Sequence, residues 1–245
     1  MIELHTAPTP NGQKVMIMLE ESHLEWKYVM VSIRTGDQFT QEFLKLSPNN
    51  KIPAIVDTDG PDNSEVRGRY TMMESGAIPI YLANKVGKFY PEDERDRYDV
   101  LQWVMFQMAH IGPMFGQANH FNNYAKTDVQ YAKDRYNNEV QRLYQVLDNR
   151  LAEAEWIGGK DYTIADMANY PWVKLWRNKD MNIEEFPNFK RWNDAMEDRP
   201  AVVKVNEDAT RLREEMLKSE EGKVDVDIFN TQKNAELLKE ATKKD

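Results

Sequence analysis

No cysteine occurs among the 245 residues. That excludes structural disulfides, thiolate metal sites and a catalytic cysteine, so any sulfur chemistry must arrive with a ligand. Histidine is scarce: His5, His23, His110 and His120 are scattered without metal-ligand spacing, and no metal site is read. No run of 18 or more apolar residues exists, so no transmembrane helix is expected. Positive charge is in deficit. With 32 Lys and Arg against 41 Asp and Glu, a net charge of −9 argues against a nucleic-acid-binding face, which needs clustered cations. The opening Met1-Ile2-Glu3-Leu4-His5 lacks the basic region and apolar stretch of a secretory signal, and a cytoplasmic location is expected. What is present, 41% hydrophobic and 30% charged residues, suits a globular chain of one large or two ordinary domains.

The chain is organised around residues 6–21. Ile2-Glu3-Leu4-His5 alternates as a strand does, prolines at 8 and 10 break it, and Val15, Met18 and Leu19 then recur at the helical period. Asn11 after Pro10 is a helix-start signal, because asparagine caps orphan amides and proline leaves strand interiors. Thr9 and Asn11 therefore sit at the positive end of a helix. There they either shape and cap it or hold a thiolate, a phosphate or a carboxylate. Further strands are expected at 27–32, 51–57 and 70–73, with a turn at 35–38, a short helix over 41–46 and another from Glu74 to about Val86. Strand, helix, strand, helix, strand, strand, helix reads as an α/β unit with a mixed four-stranded sheet.

Past Pro91 no strand pattern recurs. Helices are expected over 95–108, with a kink or break at Ile111-Gly112-Pro113, and over 128–154. Thr163-Ile164-Ala165-Asp166 has capping-box spacing and opens another helix towards Trp176, and one more runs from Phe186-Pro187 to before Pro200. The expected division is 1–87 as the α/β domain, 93–210 as an all-α domain, and 211–245 as an extension. That extension carries eight Lys or Arg and nine Asp or Glu, can form helices over 211–218 and 235–241, and is expected to be solvated, the alternative being a strap over the body or a partner.

Several landmarks resemble those of cytosolic glutathione transferases in their order. Lys51-Ile52-Pro53-Ala54-Ile55 resembles the family's proline before its third strand, and Glu74-Ser75-Gly76-Ala77-Ile78 its glutathione motif. Thr163 to Asp166 resembles its helical-domain capping box. Gly158-Gly159 and Arg199-Pro200-Ala201 also fall where the family tends to have them. Thr9-Pro10-Asn11-Gly12-Gln13-Lys14-Val15, Ser47-Pro48-Asn49-Asn50-Lys51 and Gly112-Pro113-Met114-Phe115-Gly116-Gln117 together resemble the Nu class, which includes the fungal nitrogen-regulator relatives. The likeness spans about residues 1–205 and implies a thioredoxin-like N-terminal domain, an all-helical C-terminal domain and a homodimer.

The resemblance implies glutathione as co-substrate, as one molecule, two, or the disulfide per subunit. A cis Ile52-Pro53 bond would turn the Ile52 backbone outward to pair with the cysteinyl residue as an added strand does. Ser75 at a helix start would meet the γ-glutamyl carboxylate, and Glu74 the γ-glutamyl amine. Gln38 and Lys51 are placed for the glycyl end, and Arg135 resembles an arginine that reaches a second glutathione. The first loop has no Tyr or Cys, so the hydrogen bond to sulfur falls to Thr9 or Asn11. Moving a thiol from about 8.5–9 to about 6.5–7 takes roughly 3 kcal/mol, within reach of two charge-assisted hydrogen bonds at about 1.5–3 kcal/mol each. The implied activity is reduction of small disulfides or peroxides, with weaker conjugation of electrophiles, in a pocket near Met114, Phe115, Asn119, Phe121 and Trp176. The other reading is a non-catalytic glutathione-binding regulator or scaffold of the same fold.

Overall fold

The structure, a computed structural model, describes residues 1–61, 68–175, 181–221 and 226–242. The chain divides into two compact units, Met1–Tyr81 with Lys204–Asp245, and Leu82–Val203.

In the first unit four strands form one sheet: β1 (Ile2–Thr6), β2 (Trp26–Met30), β3 (Ala54–Asp57) and β4 (Tyr70–Met73), in the order β2-β1-β3-β4. β1 alternates fully buried Ile2, Leu4 and Thr6 with half-buried Glu3 and His5, while all four residues of β3 are buried. β1 and β2 are parallel and joined by α1 (Pro10–Ser22), the crossover that parallel neighbours require. α1 is buried along Gly12–Leu19, on every side rather than on one stripe. α2 (Gln41–Leu46) and α3 (Ala77–Val86) follow β2 and β4.

Register sets what meets at the sheet's end. Thr6 lies opposite Met30, His5 opposite Ala54, and Ala54 opposite Met73. β1, β2 and β4 therefore end, and β3 begins, at one end of the sheet. The segments 7–9, 31–40, 51–53 and 74–76 all leave from there.

The second unit is helical. α4 (Glu94–Phe106) passes through a π-helical turn, Gln107–Ile111, directly into α5 (Gly112–Asn123). The break expected at residues 111–113 is therefore absent. Pro113 cannot donate to a carbonyl of the preceding turn, and the π-helical turn just before it is the form the expected distortion takes. α6 (Gln130–Glu153) buries Val140, Leu143, Tyr144, Leu147 and Leu151 along one face. α7 (Ile164–Val173) begins with a capping box formed by Thr163 and Asp166. α8 (Pro187–Glu197) is capped from α6, since Asp148 Oδ1 accepts from Asn188 N at 2.8 Å and Phe189 N at 2.9 Å.

The tail from 211 onward is largely exposed, as expected, with only Leu212 and Glu220 buried among its described residues, but it is also tied down. α9 (Pro200–Glu220) is one long helix, with Val202, Val205, Ala209 and Leu212 buried at helical spacing beneath a charged surface. Within the first unit Lys204 pairs with Glu20 at 2.7 Å. Glu220 is buried, accepts a hydrogen bond from Ser32 Oγ, and lies 3.7 Å from Arg34. Val226 N donates to Arg34 O, and α10 (Thr231–Ala241) packs beside the 3-10 turn Asp37–Phe39. The tail is a strap on segment 31–40.

Candidate active site

Thr9 is the N-cap of α1. Its Oγ1 accepts from Gly12 N at 3.4 Å, and Pro10 occupies the first turn. Asn11, in that same first turn, is half-buried and is not the cap. The capping function thus rests on Thr9, and the Asn11 carboxamide stands among the helix's first amides. Thr6, buried, donates to Ala7 O at 3.0 Å and belongs to the scaffold. Gly12 has a steric reason: a Cβ there would collide with Ala7 O and Thr6 Oγ1. Without that close approach α1 could not start immediately beneath β1.

At the head of β3 the Ile52-Pro53 peptide is cis, as the family likeness implied. Ser47 ties down the preceding loop, donating to Lys51 O at 2.8 Å and accepting from Lys51 N at 3.4 Å, while the Lys51 side chain stays exposed. Across the register from Pro53 lies Glu74, exposed and at φ 76, in the left-handed region that non-glycine residues rarely occupy. Its carbonyl accepts from Ile78 N at 3.0 Å, so the turn that carries the buried Ser75 leads directly into α3. Ser75 Oγ accepts from Lys14 Nζ at 3.1 Å. Lys14 is 1% exposed, and burial pulls its ammonium down to about 7, opposed by the charge of Glu74. Sequence reasoning passed over Lys14 as a site residue. The available signal was a lysine directly before the unbroken apolar run 15–19.

Gln38 is 5% exposed and sits in the 3-10 turn. Its Nε2 donates to Ile33 O at 3.1 Å, and among the described residues its Oε1 is buried without a partner. As placed, that amide can receive a ligand N–H. Meeting a carboxylate would require it to turn over.

Thr9, Gln38, Lys51, Ile52, Pro53, Glu74 and Ser75 are thus carried by the four segments that leave one end of one sheet, and Asn11 by the first turn of α1, which follows the first of them. Arg135 belongs to the second unit, exposed on α6. Met114, Phe115, Asn119 and Phe121 are on α5, where Phe115 is core, its ring 5.2 Å from that of Tyr144, and Phe121 stacks on Tyr136. Trp176 lies outside the described residues. Among the described residues no cluster of metal-ligating side chains occurs, and no helix is long and apolar enough to cross a membrane.

The family profile of the glutathione S-transferase N-terminal domain matches residues 9–85, and that of the C-terminal domain residues 103–200. The disulfide-bond oxidoreductase YfcG of Escherichia coli is 45% identical over 202 residues, covering 82% of this chain and 93% of its own. A glutathione transferase of Burkholderia graminis, solved with two glutathione molecules per subunit, is 46% identical, with TM-score 0.77 over 83% of this chain and 86% of that one. One from Pseudomonas putida, solved with one glutathione disulfide per subunit, is 41% identical, with TM-score 0.77 over 83% and 90%.

Proposed function

Because this chain belongs to the glutathione S-transferase family, we propose that it is a glutathione-dependent reductase of small disulfides. Peroxide reduction and weaker conjugation of electrophiles accompany that activity. The reading is carried by one observation: the four glutathione-type segments leave the same end of the sheet in a chain without cysteine. In this reading the Ile52 backbone pairs with the cysteinyl residue, and Ser75 and Glu74 take the γ-glutamyl carboxylate and amine. Lys51 and Gln38 meet the glycyl end, Gln38 through the ligand amide or with its own amide reversed. Arg135 reaches a second glutathione. The protein works as a cytoplasmic homodimer.

The chemistry needs two sulfurs, and both come from glutathione. A glutathione thiolate, held by Asn11 N–H and the Thr9 hydroxyl at the N-terminus of α1, attacks one sulfur of the disulfide. One S–S bond forms, the substrate's breaks, and the departing thiolate takes up a proton. A second glutathione thiolate then attacks the glutathione sulfur of the mixed disulfide. This releases glutathione disulfide and the second substrate thiol. Two thiols are oxidised and one disulfide is reduced, with no protein sulfur involved.

The test is glutathione-dependent reduction of 2-hydroxyethyl disulfide beside conjugation of chlorodinitrobenzene, for the wild type and Asn11→Ala. Strong reduction, weak conjugation and a loss of about tenfold to a hundredfold in the variant are expected, the worth of one hydrogen bond to a charged group. Robust conjugation untouched by Asn11→Ala would move the thiolate to Thr9. Glutathione bound without turnover in either assay would leave a binding protein.

A further inference from the structure

A lysine buried inside a helix packed on every side is costly, because an ammonium loses its hydration there. Methionine would fill a similar volume without that loss. Lys14 nevertheless holds this place in α1, 1% exposed, with its Nζ 3.1 Å from Ser75 Oγ. A hydroxyl that accepts from an ammonium is polarised and becomes a stronger donor through its own hydrogen. Ser75 stands in the turn immediately ahead of α3, whose first amides have no carbonyl one turn earlier within the helix. A polarised hydroxyl, a helix N-terminus and a buried cation therefore adjoin one another at the start of α3. Each of them favours an anion.

We propose that Lys14 is a positioning residue for the γ-glutamyl carboxylate of glutathione: it anchors and polarises Ser75 from inside the fold and holds the positive charge behind that subsite. This rests on the glutathione reading above and adds to it a residue that does not touch the ligand. Glu74, on the turn ahead of α3, is a charged group that acts on Lys14. Ligand-free, Lys14 titrates at about 7. A carboxylate bound in front of Ser75 favours its protonated form. Binding then takes up part of a proton above that pH and weakens as the pH rises through it.

S-methylglutathione isolates this effect, since it keeps both carboxylates and the amine and has no thiol to ionise. Calorimetric titration at about pH 7.5, in buffers of differing ionisation enthalpy, reads affinity and proton uptake together. The wild type is expected to take up a fraction of a proton. Lys14→Met is expected to bind about tenfold more weakly with that uptake abolished, at unreduced melting temperature. In the disulfide assay its KM for glutathione should rise by a similar factor while kcat changes little. Lys14→Arg, which keeps the charge, should restore much of the affinity. Should Lys14→Met not fold, Lys14→Gln carries the test, because it keeps a polar group without a charge and should lose the proton uptake. Unchanged affinity and uptake in the uncharged variants would reduce Lys14 to a core residue and overturn the proposal while leaving the glutathione site standing. A wild type that does not bind S-methylglutathione overturns both.

Discussion

Gly12 and Lys14 sit two residues apart on α1, and each is fixed by something distant in sequence. A Cβ at Gly12 would meet backbone as well as side chain, so the neighbour cannot simply rotate away. Gly12→Ala should therefore lower stability by about 1–3 kcal/mol, the range for forced overpacking, and shift Thr9 and Asn11 enough to reduce disulfide reductase activity. Urea unfolding read beside the assay checks both. Lys14 makes a separate prediction for the ligand-free protein. Its pKa is about 7 folded and near 10.5 unfolded, so the unfolded chain binds more protons between those values. Stability from this group rises with pH across that window and is lowest below about 7. Lys14→Met should flatten that slope in thermal melts taken at a series of pH values.

Caps decide where the helices of the second unit begin. Asp166, wholly buried, accepts from Ile157 N and Trp192 Nε1 at 2.8 Å and from Thr163 N at 2.9 Å. Burial raises its carboxyl to about 6 in spite of those donors. Thr163→Ala removes one cap acceptor and should cost about 1–2 kcal/mol. Asp166→Ala strands three buried donors and should cost more, about 3 kcal/mol or above. If the two substitutions cost the same in equilibrium unfolding, the Asp166 network is not what holds α7, the 156–159 turn and α8 together.

Over the whole molecule, the tail has the largest consequence. It returns to segment 31–40, which carries Gln38, through Glu220, Val226 and α10. Ending the chain after Glu221 should raise the KM for glutathione several-fold while kcat holds, because loosening a binding loop weakens ground state and transition state alike. An unchanged KM would make the tail a passive cover. The proposed homodimer should sediment at twice the mass of a single 28.7 kDa chain.

Much of this was legible in the chain itself, where a residue's effect is local. α2 and β4 fall on the residues that periodicity picks out, Thr163 and Asp166 form the expected box, and Ile52-Pro53 and Glu74-Ser75 stand where the family likeness put them. Absence of cysteine fixed where the sulfur must come from before any fold was known. Other features were decided only by tertiary contacts. Segments 7–9, 31–40, 51–53 and 74–76 come to one place because of strand register, which depends on partners as far apart as Ile2 and Asp57. The cap of α1 is Thr9 and not Asn11, because backbone geometry at the end of β1 starts the helix at Pro10. The tail's charge count hid one buried acid, Glu220, whose partner Ser32 is 188 residues away. Lys14 is the plainest case. A lysine's hydrophilicity belongs to the residue, but its burial against Ser75 belongs to the packing of α1 beside the start of α3, which no local pattern encodes.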